Sequence, residues 1–249
     1  MFMKKIHFIT IIIFFSLTSI YSQTDEYFDA PFGGGIGYNS GWMIPNLDII
    51  NSQLKSLGIP GFSNSGFYTS GISGFMYLGF LKHIRLGGIG FGGSTSRNIS
   101  IAGINKEAIY SLSGGGISIE YTLPYVRDWG ISVGTILGRG SMELELFQNR
   151  GSISWSNIWS ELNANPTTLF YSRNINRSLK NSYWFIIPTI NVDIPLNRFI
   201  TFRIGTGYQI TFGDNWTVDN DIDVTGAPSG LDANSYFIQT GIYIGFFSF

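Results

Sequence analysis

Phe199-Ile200-Thr201-Phe202-Arg203-Ile204-Gly205-Thr206-Gly207-Tyr208-Gln209-Ile210-Thr211-Phe212 decides the fold. In an extended chain Ile200, Phe202, Ile204, Tyr208, Ile210 and Phe212 fall on one face, and Thr201, Arg203, Gly205, Gly207, Gln209 and Thr211 on the other. A greasy face opposite a face that carries an arginine suits a strand with hydrocarbon on one side and a polar interior on the other. Hydrocarbon satisfies no free sheet edge and penalises a mid-depth arginine by a few kcal/mol, so the geometry that fits is a closed barrel, apolar outside and polar inside.

Working outward from that segment, eight period-2 stretches can be read: Phe32 to Ser40, Tyr68 to Phe80, His83 to Gly93, Ala108 to Leu123, Trp129 to Met142, Tyr183 to Ile194, Phe199 to Phe212 and Ser235 to Phe249. Short links (Leu81-Lys82, Pro124 to Asp128, Pro195 to Arg198) alternate with long ones (Gly41 to Phe67, Ser94 to Glu107, Glu143 to Ser182, Gly213 to Asn234). In an antiparallel barrel alternate links lie on opposite rims. All long loops therefore share one side, and the tight turns and both termini share the other, which is the asymmetry of a bacterial outer-membrane barrel. The expected fold is all-β: an eight-stranded antiparallel up-and-down transmembrane β-barrel with a short helix in the first long outer loop. A ten-stranded alternative arises if Ser152 to Trp159 and Thr167 to Arg173 form an inserted hairpin.

Parity within the strands sets further expectations. Trp184, Ile186, Ile190, Val192 and Ile194 face lipid, with Thr189, Asn191 and Asp193 inside. In the fifth segment the apolar positions are odd at Ile131, Val133 and Leu137 but even at Leu144 and Leu146, which predicts a bulge near Gly138 to Gly140. In the last segment Gln239 points inward while Ile242, Ile244 and Phe246 point outward. Phe247 and Phe249 share the parity of Gln239, and a bulge near Gly245 would reconcile them.

The ends and the composition agree with export and membrane insertion. Met1 to Lys5 is basic, Ile6 to Ile20 almost wholly apolar, and Ser22 is a small residue before a cleavage point, so residues 1–22 read as a signal peptide and residues 23–249 as one barrel domain. The apolar run of about 15 residues is short for a membrane-spanning helix. Charged residues make up 12% against 16% aromatics, where a soluble domain has about 25% charged, so much of the surface faces lipid. Cysteine is absent, which removes disulfides and a lipidated cysteine. A net charge of −1 with no basic block gives no footing for nucleic acid.

Phe249, with Phe247 two positions earlier, resembles the carboxy-terminal signal by which barrel assembly machinery recognises outer-membrane barrels. The mature chain as a whole resembles the small outer-membrane barrels of the OmpA, OmpX and OmpW type. That resemblance implies the fold, a Gram-negative outer membrane and its lipid, and the assembly route; it implies no ligand, cofactor or activity.

Candidate sites follow from the interior faces. Arg85, Glu120, Asp193 and Arg203 all fall inward in the periplasmic half, with a three-residue turn placing Asn191 opposite Arg203 and Asp193 diagonal to it. Such charges must pair: as a salt-bridge plug they fill the lumen, and as a movable set they form a gate. His83, the histidine of the mature chain, lies beside a periplasmic turn, far from the outer serines it would have to activate, so no catalytic residue is assigned and the protein reads as a non-enzyme. Asp219, Asp221 and Asp223, with Asp214 close by, space carboxylates as calcium ligands are spaced but lack the rest of an EF-hand; a solvated acidic loop is favoured, and no metal or cofactor is assigned. Glycine runs such as Gly114-Gly115-Gly116 precede no helix and read as lumen-fitting positions, not phosphate loops.

Asn46 to Leu57 reads as a helix capped by Asn46 and ended by Gly58, with Leu47, Ile50, Leu54 and Leu57 on one face. That face would lid the barrel mouth, pack near Trp155 and Trp159, or meet a partner or lipid. The leading functional expectation is a largely filled, porin-like scaffold presenting long loops to a surface ligand. The rival is a narrow passive channel or transporter for a small hydrophobic solute, lined by Phe75, Tyr77, Ile136, Phe185 and Ile187.

Overall fold

The computed structural model describes residues 32–124, 129–151, 154–156, 159, 174–213 and 215–248. The signal-peptide reading of residues 1–22, Asp214, Phe249 and nearly all of the proposed third-loop hairpin lie outside them.

Eight long strands close on themselves: β1 (Phe32–Pro45), β2 (Phe67–Tyr77), β3 (Ile84–Ile101), β4 (Ile104–Thr122), β5 (Gly130–Arg150), β6 (Ile175–Asn197), β7 (Ile200–Phe212) and, last in the chain, β10 (Ser235–Ser248). Each pairs antiparallel with its neighbours, β1 with β10 and β5 with β6, so no barrel strand is left with a free edge at membrane depth. The two further strands, β8 (Trp216–Val218) and β9 (Ile222–Asp223), come from the fourth outer loop and extend β6 outside the barrel.

The outer surface is the apolar belt that the β7 alternation implies. On β7, Thr201, Arg203 and Gln209 are buried while Ile204, Tyr208, Ile210 and Phe212 are exposed. On β6 the lipid-compatible face runs from Ile194 to Trp184, the span a tilted strand needs to cross a bilayer, and then gives way to Ser182, Lys180, Ser178 and Asn176. Beside it on β5, Val133 and Leu137 give way to Arg139, Ser141, Glu143 and Glu145. The Arg139 guanidinium lies 6.0 Å from the Trp184 ring, at the level where aromatic and basic side chains mark the membrane boundary.

Several sequence expectations are corrected. Ser94 to Glu107 is not a loop: β3 and β4 stay paired out to Ile101↔Ile104, joined by Ala102 (φ 50°) and Gly103 (φ 76°), the two positive-φ residues of a type I′ hairpin. The third loop is likewise shorter than Glu143 to Ser182, because β5 and β6 remain paired to Gln148↔Ile175. Neither predicted bulge exists, since the β5 ladders run without a shift past Gly138 and Gly140, and β1–β10 runs without one past Gly245. Leu144 and Leu146 keep inward parity and pack on the interior core. Phe247 also points inward, against Phe75, at 5.8 Å between ring centroids. The shift that does occur is at Pro195/Asn197 on β6, beside the tight Arg198-Phe199 turn; it sets Asp193 opposite Arg203 and Asn191 opposite Gly205.

Candidate functional site

The lumen is filled in two layers of different chemistry. In the periplasmic half, the β3–β4 register puts Arg85 opposite Glu120, and the β6–β7 register puts Asp193 opposite Arg203. All four are at least 96% buried. Arg85 Nε donates to Glu120 Oε2 at 2.7 Å and Nη2 makes a second, shorter bond to the same oxygen; Nη1 reaches across the lumen to Asp193 Oδ2 at 2.5 Å. Arg203 Nε donates to Asp193 Oδ1 at 2.6 Å, Nη2 to Asp193 Oδ2 at 3.0 Å, and Nη1 to Glu120 Oε1 at 3.3 Å. Two local pairs are thus cross-linked into one neutral quartet, which is how four charges withstand removal from water.

The surroundings complete it. Ser132 accepts from Arg85 Nη2 at 2.5 Å and donates to Glu120 at 3.1 Å. The Phe75 ring packs against both guanidiniums, 4.4 Å from that of Arg85 and 4.6 Å from that of Arg203, and the Tyr243 ring is 4.9 Å from the latter. Above this, Tyr243, Ser73 and Asn39 form a buried hydrogen-bonded group, and Gln239 donates to Asn191 at 2.9 Å. Asn191 therefore stands beside the quartet and bonds none of its members. A side chain at Gly205 would put Cβ 2.0 Å from Asn191 Oδ1, so glycine there makes room for that amide pair. Sequence reasoning missed Ser132 and the stacking role of Phe75; the inward parity of both was readable, their partners were not.

The outer half is apolar. Phe91, Phe185 and Phe237 meet across the lumen at 5.8 to 6.0 Å. Gly138 faces the Phe185 ring, where a Cβ would come within 2.5 Å. Tyr110, Met142 and Tyr183 lie in the same core, as does Trp216 from β8.

Over that core sits α1 (Asp48–Ser56). Leu47, Ile50 and Leu54 are buried in the outer core with Met43, Ile59, Phe62 and Phe67, so the helix closes the mouth. Leu57 does not join them: it is 43% exposed because the chain turns away through Gly58 at φ 77°. The inner face includes Asn51 instead, whose side chain accepts from Phe62 N–H at 2.7 Å and donates to Phe62 C=O at 3.1 Å. Asn46 is one residue outside the cap position; its Oδ1 accepts from Asp48 N–H at 3.1 Å. Trp155 and Trp159 meet edge to face at 5.7 Å, exposed and outside the core.

The remaining candidates are dispersed. Asp219 is tied to Arg177 at 2.5 Å, and among the described residues no group of three carboxylates or histidines converges on a metal position. His83 (φ 65°) lies in the β2–β3 turn with its ring 5.9 Å from Tyr121; partial burial, helped by Lys82, lowers its pKa.

No protein-family model matches the chain, and no curated protein matches it. Among solved structures it is similar to Ail, the attachment invasion locus protein of Yersinia pestis, in complex with the heparin analogue sucrose octasulfate, at 10% identity over 88% of this chain and 100% of that one (TM-score 0.38). It is also similar to a major outer membrane protein from Thermus thermophilus, at 8% identity over 86% and 99% of the two chains (TM-score 0.46). A third is the outer membrane protease OmpT from Escherichia coli, at 8% identity over 91% and 99% (TM-score 0.36). The likeness is one of fold.

Proposed function

We propose that the protein is a non-enzymatic barrel of the bacterial outer membrane, a filled scaffold whose outer rim binds a surface ligand. One observation carries this reading: the lumen is closed twice, by the charged quartet and by the α1 plug, while β3 to β6 run on past the apolar belt as a projecting sheet. Paired strands beyond the membrane contribute nothing to spanning it, so their ordered polar surface is where recognition has room to act. On this reading residues 1–22 direct export, and Phe247 with Phe249 is read by the assembly machinery before the barrel closes. Phe247 becomes buried only on folding.

The transport reading is less favoured by the same placement. Phe75 is held against two guanidiniums, and Ile136, Phe185 and Ile187 are packed into the core.

The chain has no cysteine, so single cysteines report its orientation. On intact Gram-negative cells Asn98→Cys, on the projecting β3, reacts with a membrane-impermeant maleimide, whereas Lys82→Cys, in the β2–β3 turn, reacts only after the outer membrane is breached. The reverse pattern overturns the reading.

A further inference from the structure

Inside the projecting sheet, a cavity of ≈ 200 Å³ lies between the loop after α1 and the ends of β4, β5 and β6. Leu57 and Ile59 form one wall and Leu146 and Ile175 the other, with Lys106 and Arg177 at its margins. The two cations differ. Arg177 is matched by Asp219 at 2.5 Å. Lys106 is partly buried, and its Nζ donates to the Leu57 carbonyl at 2.6 Å, a bond to the exposed C-terminal carbonyls of the helix. An ammonium carries three donors, and among the described residues no carboxylate lies within ion-pair distance of this one. The sheet therefore holds an apolar pocket with one uncompensated positive charge on its wall, and Leu57, a large apolar side chain turned away from the barrel core, is explained as part of that wall.

We infer that this pocket binds a short alkyl carboxylate, the tail against Leu57, Ile59, Leu146 and Ile175 and the carboxylate on Lys106. Apolar walls select a hydrocarbon tail, the unmatched ammonium selects a negative head, and the small volume selects a chain far shorter than a membrane lipid's. The inference deepens the reading of the outer rim as the binding surface by naming a ligand class, and its test is independent of the cell-labelling result, which concerns orientation alone.

Octanoate, octanol and octyltrimethylammonium are titrated calorimetrically into the full-length mature protein in nanodiscs, with empty nanodiscs subtracted. Saturable binding of octanoate is expected, with octanol and the cation at least about tenfold weaker. Lys106→Met, which keeps the stem and removes the charge, brings octanoate down to the level of octanol. Leu146→Asn abolishes binding of both, and Lys180→Met, on the opposite, exposed face of β6, leaves octanoate within about twofold. Retention of the heat-modifiable folded band by each variant separates lost binding from lost fold. Equal binding of octanoate and octanol, an unchanged Lys106→Met, or no saturable binding of octanoate overturns the inference.

Discussion

The two halves of the lumen fill the same cylinder by opposite means. At the periplasmic end the filling comes from strand side chains: Arg85, Glu120, Asp193 and Arg203 sit directly opposite one another in adjacent ladders and join across the middle. At the outer end it comes from apolar side chains and from a loop segment, α1, folded down into the mouth. Tight turns pin the strands at the first end, so long charged side chains are held at bonding distance with little freedom to lose. At the outer end β1 and β2 are joined by the long segment that carries α1, and closure there depends on burying Leu47, Ile50 and Leu54. The quartet should fail all at once when one member is lost. The plug should be able to open while the barrel stands.

The sharpest way to break that contrast is Arg203→Met. It leaves Asp193 and Glu120 with one guanidinium between them, and an uncompensated buried charge costs about 3 to 5 kcal/mol; urea unfolding of the detergent-folded protein should lose that much in a single transition. A double variant, Asp193→Leu with Arg203→Met, should cost less than the sum of its parts, because both halves of a pair leave together. The next effect belongs to the plug. Leu54→Ala should cost about 2 to 4 kcal/mol of plug stability, seen as faster amide hydrogen exchange in α1 with the β6–β7 ladder unchanged. If the ladder loosens equally, the halves are not independent.

Where the charged and apolar layers were readable, physical contrast made them so. β7 announces itself because lipid and lumen demand opposite chemistry on alternate residues, and the same demand put four charges inside. Beyond the membrane that demand lapses: Ser94 to Glu107 has water around it, its alternation fades, and its turn uses Ala102-Gly103 where Asn-Gly would have been the clearer signal. Leu144 and Leu146 misled for a related reason. Their parity never changed; the interior changed from polar to apolar beneath the plug, so a pattern change that resembles a bulge was a change of neighbour. The pairing of Asp193 with Arg203, not Asn191 with Arg203, turns on the irregularity at Pro195/Asn197, which no spacing rule supplies. Asn51 was invisible because a polar residue on a helix's inner face is justified only by the Phe62 backbone it satisfies.

Two smaller effects sharpen the comparison. Asn51→Ala removes both bonds to Phe62 and should cost the plug about 1 to 3 kcal/mol, again by exchange in α1. Arg177→Ala breaks an ion pair whose arginine is 59% exposed, and should shift the urea midpoint by an amount equivalent to about 0.5 kcal/mol or less.

The claim on which all of this stands is that the cylinder is solid at both ends. Single-channel recording of the purified protein in planar bilayers tests it directly. Bilayers in which protease protection or heat-modifiability shows the barrel to be inserted should stay silent at neutral pH, whereas discrete, reproducible conductance steps from the unmodified chain would contradict it.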